Sequence, residues 1–211
     1  MTTFSFCGMV DKKYLVLPLA NAMSVYGDTL IVTDDNSYRY YTTKEGKIGP
    51  IQVLILSTDE INTKSHVDYD DGVDYQNIIY DTVDKIDKEA DKIIIVRNKD
   101  RSLVPPLVTE VSDELDEGVA VTPTCEIVLT AYYNKLEVKR LHYCDRGEDM
   151  ADKAALIELK LTHFRWLQLV AETKEIVSLG DKAVLGVLSN LLSDVLKLHN
   201  KDIETLLVQQ K

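Results

Sequence analysis

Asp68, Asp70, Asp71 and Asp74 crowd around Gly72, and carboxylates gathered this closely are what a Ca²⁺ ion binds. Their spacing lacks the distal glutamate and the glycine position of an EF-hand loop, so a solvated acidic loop is the plainer reading. The cysteines, Cys7, Cys125 and Cys144, form no C-x-x-C pair, which argues against a zinc site. Cys7 and Cys125 read instead as small core residues on strands. His66, His142, His163 and His199 are scattered singly, with no serine or cysteine partner evident, so a hydrolytic triad is unsupported. What remains is a set of polar residues at the ends of apolar runs: Gly8, Lys12 and Lys13 after the first, Asp34 and Asp35 after the second, Asp81 closing a third and Asn134 following a later one. In open α/β sheets ligands bind outside the carboxyl ends of the strands, and that is where such residues would lie.

The elements that must carry them are legible as patterns. Thr3 to Cys7 is a β-prone opening, followed by a glycine and a polar turn. Tyr14 to Tyr26 places Leu15, Leu19, Ala22 and Met23 at helical spacing and ends at Gly27, a natural helix C-cap. Pro18 is discordant inside that helix. Thr29 to Thr33, Ile51 to Leu56, Gln76 to Asp81, Lys92 to Arg97 and Glu126 to Tyr133 read as strands, with Ser37 to Thr42 as an edge strand. Ser57 to Tyr75 reads as a surface loop, and short helices are expected at Val83 to Ala90 and about Pro105 to Leu115. From Ala151 onward the chain reads as helix only, Ala151 to Val177 and then Asp181 to Gln209. The second of these carries Val184, Leu188, Leu191, Val195 and Leu198 in a heptad-like stripe.

Strands that are continuous apolar runs, alternating with helices, argue for a mostly parallel sheet buried on both faces. The expected fold is therefore α/β: a three-layer sandwich with a mostly parallel central sheet flanked by helices and a helical C-terminal third. A length of 211 residues suits a single domain over 1–211, with 150–211 as its helical part. The net charge of −11 argues against broad nucleic-acid binding. No apolar run approaches the ~20 residues of a membrane span, and the start of the chain lacks the pattern of a signal peptide. Sparse, odd cysteine usage fits a reducing compartment, so a cytoplasmic setting is expected.

Four segments, in order, resemble the ParA/MinD group of P-loop ATPases. They are the strand–turn–helix Phe4 to Tyr26, the strand Leu30 to Val32 ending in Asp34-Asp35, and the block Asp74-Tyr75-Gln76-Asn77-Ile78-Ile79-Tyr80-Asp81-Thr82 followed by Ala90 to Val96. The fourth is Glu126 to Asn134. The family shows D-Y-x-hhh-D-T-P-P, then A-D-x-hhhV, then a strand ending in Asn. Its phosphate loop reads K-G-G-x-G-K-[ST], and the matching stretch here is Cys7-Gly8-Met9-Val10-Asp11-Lys12-Lys13.

The resemblance implies that Gly8, Lys12 and Lys13 are the cofactor-binding positions, that Asn134 contacts the base, that Asp81 is the Mg²⁺-linked carboxylate, and that Asp34 or Asp35 is the switch aspartate. The departures are chemical. Cys7 replaces the signature lysine, Met9 and Asp11 replace glycines, Lys13 replaces the Mg²⁺ hydroxyl, and Val83-Asp84 replace the two prolines. A carboxylate at Asp11 would repel a phosphate by roughly 1 kcal/mol at ~4 Å in water, and several-fold more where partly buried. Met9 and Asp11 also resist backbone angles that glycine allows.

The expectation is thus a catalytically degenerate protein, a pseudo-ATPase acting as a protein-binding or regulatory module in a secretion, pilus, conjugation or partition system. No cofactor is expected, with ATP and Mg²⁺ bound only if the loop is functional. The partner would be a protein, a second copy in a homodimer or a related ATPase. Two alternatives stand beside it. One is an active ATP-dependent dimerisation switch, distinguished by whether Asp11 points into the loop or out to water. The other is an unrelated α/β interaction domain, for which Pro18 speaks and which an Asp81 strand placed away from the Phe4 strand would support. In plain terms Gly8 to Lys12 would then be a tight turn with a solvated lysine, Asp81 a helix-capping residue and Asn134 a turn residue.

Overall fold

The computed structural model describes residues 1–63, 72–83, 90–98, 125–130, 155–158, 161–197, 202–203 and 206–207. Within them the chain runs β1 (Thr2–Cys7), α1 (Lys13–Ser24), β2 (Thr29–Thr33), β3 (Lys47–Ile48), β4 (Ile51–Ile55), α2 (Thr58–Thr63), β5 (Asn77–Thr82), β6 (Lys92–Asn98), β7 (Cys125–Thr130), β8 (Ala155–Glu158), α3 (Leu161–Thr173) and α4 (Lys182–Leu196). The strands form one sheet in the order β3-β4-β2-β5-β1-β6-β7-β8. Every pairing is parallel except the β3–β4 hairpin. This is an α/β fold on a mostly parallel sheet, as the uninterrupted apolar runs of β2 and β5 require of strands covered on both sides.

Side chains alternate between the two faces. Phe4, Phe6, Ile31, Ile79, Ile94 and Val96 join α1, α3 and α4 in the main core. Leu30, Val32, Ile78 and Tyr80 point the other way, where Ile61 of α2 covers them. Helix α1 is buried from Lys13 to Met23, the pattern of a helix with neighbours all round. Pro18 lies inside it without ending it, so the discordance amounts to one missing N–H in an otherwise packed helix.

Three expectations change. Asn36–Tyr40 is a 3-10 turn, where Ser37 to Thr42 was expected to be an edge strand. Asp35 captures Ser37 N and Oγ at 2.8 and 2.9 Å, a local bond that competes with strand pairing, and Tyr38 turns inward. Part of the expected loop after Ser57 is α2. Ser57 N and Glu60 N exchange bonds with Glu60 Oε2 and Ser57 Oγ at 2.8 and 3.3 Å, a capping box written in the sequence as S-x-x-E. The C-terminal third is not helix alone: β8 pairs in parallel with β7, Ile127 beside Ala155, and helix begins only at Leu161.

The stripe of α4 does face the core at Val184, Leu188 and Leu191. The helix starts under the Asp181 carboxylate, which accepts from Ala183 N and Val184 N, and stops at Lys197, whose φ is +54°. Leu198, residues 64–71, 84–89 and 99–124, and the region 131–154 with Asn134 lie outside the described residues.

Candidate functional site at the carboxyl ends of β1, β2 and β5

Parallel register sets the site. Phe6 and Thr33 both lie beside Asp81, and Cys7 lies beside Thr82, so three adjacent strands finish level. The chain leaving β1 crosses this edge. Gly8 N donates to Thr82 O at 3.1 Å, and Gly8 takes φ +147° while passing so close to β6 that a Cβ would stand 1.9 Å from Val96 O. Only glycine fits there.

From this turn the two lysines project inward, and neither is solvated. Lys12 Nζ lies 3.0 Å from Asp81 Oδ1 and donates to Gly8 O at 2.5 Å and Val10 O at 3.3 Å. The other oxygen of Asp81, Oδ2, accepts from Tyr38 Oη at 2.7 Å, and its carbonyl accepts from Thr33 Oγ1 at 2.7 Å. Lys13 Nζ is clasped between Asp35 Oδ2 at 2.5 Å and Asp11 Oδ1 at 3.2 Å, over the rings of Tyr38 and Tyr41 at 4.9 and 5.7 Å. Asp11 also accepts from Lys13 N at 3.1 Å. Its carboxylate therefore sits on the amino end of α1, where the helix dipole favours an anion, while its side chain remains half exposed.

The structure thus brings together Gly8, Lys12, Lys13 and Asp81. It adds Asp11, Asp34, Asp35, Thr33 and Tyr38, which close the network. Tyr38 looks in sequence like one of a tyrosine cluster; only the sheet order places its hydroxyl on Asp81. Among the described residues no group of three histidines, cysteines or carboxylates is arranged to hold a metal ion.

Four carboxylates, Asp11, Asp34, Asp35 and Asp81, surround two ammonium groups. For Lys13, burial alone would lower the pKa, but Asp11, Asp35 and Asp81 together outweigh it and raise the value. For Asp35, burial raises, yet the bonds from Lys13 and Ser37 win and hold the carboxyl low. Asp34 is pushed up by burial despite accepting from Val83 N at 3.3 Å, and its Oδ1 is buried with no hydrogen-bond partner. Burial beside Asp81 drives the Tyr38 hydroxyl well above its ordinary value. Chemically, Lys13 stays protonated and Tyr38 stays neutral, so neither supplies a nucleophile or base near neutral pH.

A pH dependence follows. The Asp35 contribution is present above the unfolded carboxylate value of ~3.9 and is lost as pH falls through its lower folded value. The Lys13 contribution is complete below the unfolded value of ~10.4 and is lost as pH rises through its higher folded value. In urea unfolding, the stability gap between the wild type and Lys13→Met should be widest between about pH 5 and 9 and should shrink as Asp35 protonates below about pH 4. A gap that ignores pH would mean that Lys13 acts through packing alone.

Comparison with protein-family models and with curated proteins gave no match for this chain.

Proposed function

We propose that this chain is a ParA/MinD-like protein whose nucleotide site has been replaced by an internal salt-bridge network, and that it works as a docking or regulatory module rather than an ATPase. The observation that carries the reading is the paired state of the two loop lysines. Lys12, the residue matching the phosphate-binding lysine, is spent on Asp81, the residue matching the metal-linked carboxylate. Lys13, at the metal-ligand hydroxyl position, puts a fixed ammonium among Asp11, Asp35 and Asp81, where a cation would otherwise be needed. Asp11 holds the helix end that a phosphate would occupy. The adjacency of β1 and β5 is the arrangement that the reading needs, since an Asp81 strand set apart from the Phe4 strand would have favoured an unrelated α/β domain.

In this reading the sheet is the middle of three layers of one domain over 1–211, with α1, α3 and α4 on one face and α2 on the other. The setting is cytoplasmic, in a secretion, pilus, conjugation or partition system, and the partner is a protein. Fold alone does not give function, so the test addresses the site. Calorimetric titration with ATP and Mg²⁺ should give no binding heat at millimolar nucleotide. Micromolar binding that disappears in Lys12→Ala would sink the proposal and establish an active nucleotide switch, with Asp11 displaced from the helix end.

A further inference from the structure

We draw no further inference here: the strongest candidate, the buried side-chain cluster of His163 on α3, Tyr14 on α1 and Asp181 at the start of α4, carries nothing beyond packing and helix capping, because a proton switch there would rest on the titration of one histidine, and nothing in the structure shows what its protonation would move.

Discussion

Gly8→Ala is expected to remove on the order of 3–5 kcal/mol of folding stability, enough to unfold many domains outright. Two independent costs meet at this position. The residue holds φ +147°, which an L side chain rarely adopts, and its new methyl would stand 1.9 Å from the carbonyl oxygen of Val96. That oxygen belongs to β6, in the middle of the sheet, so the neighbour cannot swing aside as a flexible side chain would. Relief requires β1 and β6 to part. Equilibrium urea denaturation checks the effect, with Gly186→Ala as the control. Gly186 sits inside α4 with open space at its Cβ, and there alanine should be neutral or stabilising by up to about 1 kcal/mol. Comparable stability of Gly8→Ala and the wild type would mean that the turn is looser than the close approach implies. The large cost also bears on function: the β1–β6 approach is by itself enough to require glycine here, whether or not a phosphate is ever bound.

Asp81→Ala should cost a similar amount, about 3–5 kcal/mol, because removing one partner of a buried ion pair leaves the other charge without compensation. Lys12 would keep only the carbonyls of Gly8 and Val10, and Tyr38 Oη would lose its acceptor inside the core. The double substitution Lys12→Met with Asp81→Asn should recover most of the loss. It removes both charges together and leaves an amide oxygen for Tyr38, and such exchanges are often near neutral. A double-mutant cycle of Lys12→Met, Asp81→Asn and the two together, read by denaturant unfolding, measures the coupling directly. Additive effects of the two single changes would show that Lys12 and Asp81 do not depend on each other. Strong coupling would mean that the pair is a structural element of this fold, as a module relieved of nucleotide chemistry would need.

Much of the frame is legible in the chain order alone. The apolar runs at Thr29 to Thr33 and Gln76 to Asp81 become β2 and β5 almost residue for residue, since a run that long has to be covered on both faces. The glycine after β1, the lysines, the strand-end Asp81 and the core stripe of α4 are equally visible. Ser57 to Glu60 carries a capping box that starts α2, a local signal outweighed in the sequence reading by the polarity of the stretch, which reads as a loop. Local chemistry misleads where two patterns compete. Ser37 to Thr42 alternates like an edge strand, yet Asp35 bonds to Ser37 first and the turn wins. Ala155 to Glu158 lies in a helix-prone stretch, yet β7 offers a ladder of backbone partners and recruits it as β8.

Sequence by itself determined the kinds of residue that gather at the strand ends: a glycine, two lysines and a surplus of carboxylates. Tertiary structure alone decided who pairs with whom. Lys12 meets Asp81 because β1 and β5 are neighbours in parallel register, and Tyr38 reaches the same carboxylate because β2 flanks β5 on the other side. Burial then settled the electrostatics. Ammonium groups taken out of water must find partners close by, so Lys12 and Lys13 lie inside against Asp81 and the rim carboxylates, while Asp11 and Asp35 stay partly hydrated.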